Sequence, residues 1–440
     1  MTQGEYAYNL ASELFPICRS ITGNGVRKTL KILQRENPEL TINEVPSGTQ
    51  AFDWTVPKEW NIKDAWVKDK NGKKIIDFKE SNLHIMGYST PVNKTIALNE
   101  LLKITYTEPD QPEVIPYVTS YYKERYGFCI SENQKKQILL DYSEDDQFEI
   151  NIDSTLENGS LTYGELVLDS CGQTDGKCSS GKNEILFSTY ICHPSLANNE
   201  LSGPCLATAL IKWLKTLSNR KYRYRFVFIP ETIGSITYLS KNYKELQKNV
   251  TAGFNLTCVG DDRDYSYMPT AYGDTLADKV IQNVLSFHYP DYKKHSFLIS
   301  GSDERRYNAP GIDLPVVGFS RSLYAKYPEY HTSADNLSLI SPSGLQGSFD
   351  VMEMCIIALE NNAKYKMTCL CEPQLGKRGL YPTVSRKGQY DEVFKLKNMI
   401  SYFNGKNDLL DVSNIIKVPV EELIEIIEKL TNNELIVKES

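Results

Sequence analysis

The chain has 440 residues, a formal net charge of −7 and a charged fraction of 24%. This length exceeds the roughly 250–300 residues at which a single hydrophobic core stops growing, so more than one domain is expected. The negative balance argues against general nucleic-acid binding, which needs local excess Lys and Arg for phosphate contacts. No run approaches the roughly 18 apolar residues of a membrane-spanning helix, so no membrane partner is expected.

The N-terminal residues and the cysteines indicate a cytoplasmic protein. Residues 1–6 lack the basic start and apolar run of a signal peptide. The ten Cys residues are scattered and follow no export signal, which is typical of reduced thiols.

The first two predicted segments differ in their periodicity. Residues 5–36 have apolar residues at helical spacing in two stretches, so residues 1–53 are expected to be the N-terminal helical part of the domain that continues at 155–370. Residues 54–154 contain short strand-like runs separated by polar turns. The pair Asn71-Gly72 is a strong hairpin signal in this region. We therefore expect an inserted small all-β domain at 54–154.

From about residue 155 to 370, strand-like and helical segments alternate. Residues 184–190 and 224–229 are predicted strands, and a predicted helix covers 203–217. Alternation of this kind predicts an α/β fold with a mostly parallel sheet flanked by helices.

Residues 375–440 predict three helices and a β-wing, the order of a winged helix-turn-helix. Residues 388–440 hold 6 Lys and no Arg against 10 Asp and Glu, a net of −4. A recognition helix needs basic or amide side chains, so this charge argues against DNA binding. Protein contact, including a homo-oligomer formed through this domain, is the expected role.

Three short polar segments follow strands or helices, at 192–203, 230–235 and 330–336. They contain His193, Glu231 and His331. A catalytic zinc site needs about three ligands from His, Asp, Glu or Cys, and a hydrolase also needs a base near the water. A lone loop histidine is usually just solvated, but two histidines on either side of a strand-end glutamate predict a joint site. The other three histidines are expected to have structural or surface roles: His84, His288 and His295.

These segments resemble those of a known fold. His-Pro-Ser-x-Ala-Asn-x-x-Leu-Ser-Gly, Pro-Glu-Thr-Ile-Gly-Ser, Ser-Asp-Glu-Arg and Tyr-His-Thr-Ser-x-Asp-Asn are highly specific together. The segment from about 160 to 350 is similar to the family-28 zinc aminopeptidases. Nearly the whole chain resembles a bacterial and archaeal aminopeptidase-like group, the domain-of-unknown-function 4910 family. That group has an inserted β-domain and a C-terminal winged helix.

The resemblance assigns roles to individual residues. It implies that His193 and His331 each ligate a metal and that Glu231 is the general base. Asp335 matches the aspartate after the second histidine. Asp303 matches the loop that closes over the substrate end. In the same loop, Arg305 and Arg306 are candidates to receive a substrate carboxylate, although arginines on a solvated surface are equally expected.

Three positions depart from the family pattern. The carboxylate that bridges two zincs is replaced by Asn199, which the resemblance implies as a neutral and weaker metal ligand. The second glutamate is replaced by Thr232, and a strand-end aspartate by Asn255. Asp261, or its neighbour Asp262, could supply a carboxylate from a shifted position. Because zinc affinity depends on anionic or imidazole donors, one zinc, or two held weakly, is expected.

The sequence therefore predicts a zinc-dependent aminopeptidase-like hydrolase of small peptides or amides. One alternative is a degenerate peptidase that binds a peptide or small amino compound without cleaving it. Another is a regulator in which the peptidase fold senses a ligand for the winged helix.

Overall fold

The computed structural model describes residues 1–171, 183–380 and 390–439. The chain forms two compact units. The first comprises Met1–Tyr272 with Lys293–Phe349, and the second Gly273–Tyr292 with Asp350–Ser440.

The helices in chain order are α1 Gln3–Leu14, α2 Asn24–Glu36, α3 Leu98–Lys103, α4 Glu132–Asp141, α5 Ser202–Thr216, α6 Ile233–Asn249, α7 Leu276–His288, α8 Glu304–Tyr307, α9 Pro342–Asn361, α10 Tyr390–Tyr402, α11 Leu409–Ile416 and α12 Val420–Asn432. The strands are β1 Thr41–Pro46, β2 Gln50–Ala51, β3 Trp54–Thr55, β4 Glu59–Lys68, β5 Lys74–Asp77, β6 Val92–Ala97, β7 Thr105–Tyr106, β8 Phe128–Cys129, β9 Gln147–Glu157, β10 Ser160–Leu168, β11 Glu184–Tyr190, β12 Arg223–Ile229, β13 Val250–Leu256, β14 Ser266–Met268, β15 Lys293–Lys294, β16 Val316–Ser320, β17 Lys364–Met367, β18 Asn404–Asp408 and β19 Ile436–Lys438.

An eight-stranded sheet forms the centre of the first unit, in the order β1-β10-β12-β11-β13-β16-β14-β15. Its four middle strands, from β12 to β16, are parallel to one another. Every residue of β11 and of β16 is buried, as expected for strands covered on both faces. The predicted fold class, a mostly parallel sheet flanked by helices, is confirmed.

The carboxyl ends of these parallel strands lie at one edge of the sheet. Tyr190 at the end of β11 pairs with Ile229 at the end of β12. The segments that follow both strands therefore leave the sheet side by side, which is where α/β proteins usually bind ligands.

A four-stranded antiparallel sheet, β5-β4-β9-β6, lies within residues 59–157. Its buried side chains, including Val67 and Phe148, belong to the same apolar cluster as Leu186 and Ile229 of the central sheet. The β-rich region at 54–154 thus shares a continuous core with the central sheet in the first unit.

The second unit contains α7, α10, α11, α12 and the antiparallel sheet β18-β17-β19. Within it, Asn283 of α7 donates to Ser413 Oγ of α11 over 2.9 Å. Residues 381–389 of the predicted winged domain lie outside the described residues. In the parts of the chain that are described, no helix combines the length and apolar character needed to cross a bilayer.

Candidate active site

His193 and Glu231 come together because each follows one of two neighbouring parallel strands. His193 lies three residues after β11 and Glu231 two residues after β12. Nε2 of His193 is 3.8 Å from Oε2 of Glu231. The Glu231 side chain keeps 24% of its surface exposed, whereas that of His193 keeps 6%.

A later loop places His331 beside His193. The imidazole centroids of the two histidines are 5.3 Å apart, and the Tyr117 ring packs at 5.1 Å and 5.0 Å from them. His331 has a left-handed backbone (φ 57°), and its carbonyl accepts a hydrogen bond from the Tyr117 amide over 2.8 Å. The Tyr330 ring stacks on His331 at 3.9 Å. The predicted joint position of His193, Glu231 and His331 is therefore present in the structure.

The three side chains line one cavity of about 340 Å³. Its walls are formed by Ile21, Trp54, Tyr117, Thr119, Tyr121, Tyr122, Cys192, His193, Glu231, Thr232, Ile233, Arg306 and His331. The β-rich region supplies much of the aromatic wall, so this region shapes the cavity around the strand-end residues.

A buried glutamate that the sequence interpretation missed orients His193. Nδ1 of His193 donates to Oε2 of Glu200 over 2.8 Å. Arg19, also fully buried, lies 3.7 Å from the other Glu200 oxygen and donates to the His193 carbonyl over 3.0 Å. Because Nδ1 carries the proton, Nε2 is left as the acceptor that faces Glu231. Glu200 is the single acidic residue in the segment 192–203, which is the signal that could have identified it.

Glu200 lies on one turn of π-helix, Ala197–Leu201, that runs into α5. π-Helical turns often occur at functional sites because they reposition side chains relative to a regular helix. Here the turn lies between the loop of His193 and the buried N-terminus of α5.

The surroundings shift the pKa values of the three cavity-lining groups differently. Burial raises the pKa of Glu231 to about 7, although the nearby His193 acts to lower it. Burial lowers the pKa of His331 to about 2, so its imidazole is neutral. Burial acts most strongly to lower the pKa of His193, but the hydrogen bond to Glu200 and the charges of Glu200 and Glu231 together outweigh it, and the pKa is raised.

Asn199 is buried and is held by several hydrogen bonds. Its Nδ2 donates to the Tyr190 hydroxyl over 2.8 Å, and its backbone amide donates to Asp335 over 3.0 Å. Its Oδ1 is buried with no hydrogen-bond partner among the described residues. Nε2 of His331 is also buried with no hydrogen-bond partner among the described residues.

Asp335 tethers the π-helical turn. Its Oδ1 accepts from the Asn198 amide over 2.6 Å, and its Oδ2 accepts from the Asn199 amide and, over 2.9 Å, from the Tyr327 hydroxyl. Burial raises the pKa of Asp335 to about 6, while these donors act to lower it. Both oxygens are therefore occupied by the chain itself.

The structure does not bring Asp261 together with the two histidines. Its oxygens accept from Asn198 Nδ2 over 2.8 Å, the Arg263 amide over 2.9 Å, and the Ser322 amide and hydroxyl over 3.1 Å and 2.9 Å. Asp262, the other shifted candidate, accepts from the Ser341 hydroxyl. Among the described residues, one group of three potential metal ligands has its donor atoms within 4.8 Å of one another. It consists of Cys192, His193 and Glu200.

Asp303 supports the turn that carries Thr232. Its Oδ1 accepts from the Thr232 amide over 2.9 Å and from the Ser235 hydroxyl over 2.7 Å. Thr232 has a positive φ of 61°, a strained conformation for a β-branched residue. Burial raises the pKa of Asp303 to about 6.

The two arginines of this loop point to different places. Arg306 lines the cavity and donates from Nη2 to Thr232 Oγ1 over 3.0 Å. Arg305 is exposed, lies over the Phe297 ring at 5.6 Å and borders a neighbouring, more apolar groove. Of the two arginines, Arg306 therefore lines the cavity that contains His193 and Glu231.

Asn255 is paired with a second carboxylate that sequence reasoning missed. Its Nδ2 donates to Glu304 Oε2 over 2.9 Å, and the other oxygen of this buried glutamate accepts from the Tyr324 hydroxyl over 2.8 Å. A neutral residue at 255 therefore fits a position already next to a buried carboxylate.

The described donors supply two imidazole nitrogens for a metal ion, one fewer than the roughly three protein ligands of a catalytic zinc site. Nε2 of His193 and the unpartnered Nε2 of His331 are imidazole donors of the kind that zinc prefers. A second ion would need the carboxylates that Asn199, Thr232 and Asn255 replace, and Asp261 is already saturated with donors.

The sheet topology defines an α/β protein whose fold is similar to that of aminopeptidases. The chain belongs to the family described as domain of unknown function DUF4910, whose model matches residues 8–362. A winged helix-turn-helix model matches residues 363–438. The predicted family membership is confirmed.

Known relatives agree with this classification. A Clostridium acetobutylicum protein is 48% identical over 414 residues, which cover 94% of this chain and 91% of the relative. It is named provisionally as a polysaccharide biosynthesis protein with an aminopeptidase-like domain.

Two crystal structures are similar to this chain. One, from the same organism and described provisionally as a peptidase, has a TM-score of 0.90 at 44% identity and covers 99% of this chain and 96% of its own. A zinc aminopeptidase from Bacillus subtilis has a TM-score of 0.57 at 13% identity, covering 81% of this chain and 94% of its own. At that identity the second likeness concerns the fold alone.

Proposed function

We propose that this protein hydrolyses an amide bond in a small peptide or acylated amine with the help of one zinc ion. The observation that supports this most is the convergence of His193, Glu231 and His331 on one cavity at the carboxyl ends of parallel strands. Two imidazoles that could ligate zinc and a carboxylate of raised pKa that could act as the base provide part of the set that metal-assisted hydrolysis uses.

His193 and His331 would hold the zinc through their Nε2 atoms. The Glu200 carboxylate fixes the tautomer of His193 by accepting from Nδ1, and burial keeps His331 neutral. Bound zinc supplies Lewis acidity, which polarises a carbonyl and makes water easier to deprotonate.

Glu231 moves the proton. Its pKa of about 7 allows the carboxylate to take a proton from the attacking water and the carboxylic acid to give it to the leaving amine. The water oxygen forms the new bond to the carbonyl carbon, and the carbon–nitrogen bond breaks. The products are a carboxylic acid and an amine, so Glu231 returns to its starting state.

The substrate end near Thr232 favours a carboxylate over a free amino group. The aminopeptidase pattern has a second glutamate at this position, whereas here a neutral threonine accepts a hydrogen bond from Arg306. A guanidinium binds carboxylates through paired N–H donors. We therefore infer that the amide lies next to an acidic group that Arg306 receives.

The test is hydrolysis of a library of N-acyl amino acids and dipeptides by zinc-loaded protein. Glu231→Gln should lower kcat/KM about 1000-fold, within the range for loss of a general acid–base group. Glu100→Gln, on the exposed face of α3, is the matched control and should leave the rate unchanged. If no amide in the library is cleaved, or if Glu231→Gln cleaves it as fast as the unaltered protein, the proposal is wrong.

A second candidate is a binding module that does not cleave its ligand. The neutral residues at 199, 232 and 255 favour it, because each removes a carboxylate that would strengthen a two-metal site. In that case a ligand would still raise the Tm of a His193→Ala, His331→Ala double variant.

We also propose that the winged-helix region contacts protein rather than DNA. The Glu residues of α12 at 421, 422, 425 and 428 are exposed. Gel filtration of the chain with and without residues 363–440 would show whether this region forms a homo-oligomer.

A cytoplasmic location is supported by the nine cysteines of the described residues, which are all free thiols.

A further inference from the structure

A second cavity of the first unit, of about 260 Å³, differs from the candidate active site in its charge. Two short segments after β13 and β16, together with the segment of β15, form its walls. The charged or ionisable side chains in these walls are Arg263, Asp264, Lys293, His295, Arg321 and Lys326. Neither His193 nor Glu231 is among its lining residues.

Only part of this positive charge is neutralised by the chain. Arg263 forms two hydrogen bonds to Glu329, at 2.9 Å and 2.7 Å, and Lys293 lies 2.6 Å from Asp264. Among the described residues, no carboxylate lies within ion-pair distance of Arg321 or Lys326. Arg321 and Lys326 are thus the two cations of the cavity without a carboxylate partner, while the buried Asp261 is bound by the wall residue Ser322.

Arg321 is the group that most needs an anion. The residue is 4% exposed, yet its hydrogen bonds go to the carbonyls of Asp264 and Gly344 and its guanidinium lies over the Tyr265 ring at 3.8 Å. These contacts use Nε and Nη1 and leave Nη2 for another partner. Buried arginines are normally paired, since a buried charge without a counter-charge is costly.

His295 is a further polar residue of the cavity wall. Its Nε2 is buried and has no hydrogen-bond partner in the described part of the chain. Burial first, and then the ammonium groups of Lys293 and Lys326, lower the pKa of His295. Buried polar atoms normally have a hydrogen-bond partner, so this ring nitrogen near two lysines indicates a position that a polar group of a ligand could fill.

We propose that this cavity binds the phosphate group of a small phosphorylated molecule, with Arg321 and Lys326 as its charged partners. A phosphate would complement the two cations that have no carboxylate partner, Arg321 and Lys326, and arginine is suited to its geometry. The cavity is larger than a single ion requires, which leaves room for an organic group attached to the phosphate. This inference does not depend on the proposed amide hydrolysis.

Lys326 is the residue to vary. It is exposed and makes no hydrogen bond to the structural carboxylates, whereas Ser322 and Tyr327 of the same wall bind Asp261 and Asp335. Lys326→Glu therefore reverses one charge at the cavity without disturbing those contacts. Lys136→Glu, on the exposed face of α4, makes the same charge change elsewhere and is the control.

The experiment is isothermal titration of the full chain with orthophosphate and with glucose 1-phosphate, at constant ionic strength. We expect saturable binding of at least one probe, weakened 10-fold or more by Lys326→Glu and unchanged by Lys136→Glu. Tighter binding of the monoester would identify a phosphorylated small molecule, and equal binding would identify free phosphate. Lys326→Gln provides a milder variant if the charge reversal unfolds the protein.

Two outcomes would overturn the proposal. One is no saturable binding of either probe to the unaltered protein. The other is equal weakening by Lys326→Glu and Lys136→Glu, which would mean that only the net charge of the protein matters.

Discussion

Two groups of carboxylates near the same strand ends differ in what their oxygens already bind. Asp261 and Asp335 accept hydrogen bonds on both oxygens from backbone amides, hydroxyls and an asparagine side chain. Glu231 instead faces a cavity at 3.8 Å from His193 and keeps part of its surface exposed. A carboxylate that is saturated by the chain holds the loops in place, whereas one that faces a cavity can bind a ligand or move a proton.

The largest effect that separates the two groups is expected on stability. Asp335→Ala removes the acceptor for the amides of Asn198 and Asn199 and for the Tyr327 hydroxyl. Leaving buried donors unpaired should lower the free energy of unfolding by about 3 kcal/mol, measured by urea denaturation. Asp145→Ala, at an exposed position, is the control and should stay within about 0.5 kcal/mol of the unaltered protein. An equally small change in the free energy of unfolding in both variants would show that Asp335 does not hold the surrounding loops in place.

An effect of similar size is expected from the ionisation of Glu231 in metal-free protein. Its pKa is about 7 in the folded state against an ordinary value of 4.5 for glutamate, so the folded state binds more protons between these pH values. The contribution is therefore complete below pH 4.5 and is lost as the pH rises through 7. The unaltered protein should lose up to about 3 kcal/mol relative to Glu231→Gln over this range. A constant difference between the two proteins across the range would contradict this.

The smallest of the three effects is expected at Glu200, which accepts a hydrogen bond from Nδ1 of His193. Glu200→Gln should weaken zinc binding about 10- to 100-fold, because a second-layer carboxylate fixes the ligating tautomer. Competition titration with a chromophoric chelator measures this. Glu304→Gln alters the buried carboxylate beside Asn255 and should leave zinc affinity within about threefold of the unaltered protein. Equal affinities in all three proteins would show that Glu200 has no influence on the metal.

Much of the fold was accessible from local patterns. The apolar strands at 184–190 and 224–229 and the polar residues directly after them predicted both the parallel sheet and the meeting of His193 with Glu231. These features depend on short stretches of sequence and on the rule that parallel strands end at one edge.

The features that were missed depend on contacts between distant segments. The use of Asp261 as a structural acceptor depends on Ser322 and Asn198, 61 and 63 residues away along the chain. The role of Glu200 depends on the π-helical turn, and the basic cavity gathers residues from 263 to 326. Neither hydrophobic periodicity nor a short motif predicts contacts between segments that are so far apart in the sequence.

Zinc stoichiometry tests the central claim most directly. The unaltered protein, His193→Ala and Asp261→Asn should be saturated with zinc, freed of loosely bound metal and measured by elemental analysis. We expect one zinc per chain in the unaltered protein and in Asp261→Asn, and none in His193→Ala. Two zincs per chain, or loss of the zinc in Asp261→Asn, would contradict a single site held by the two histidines.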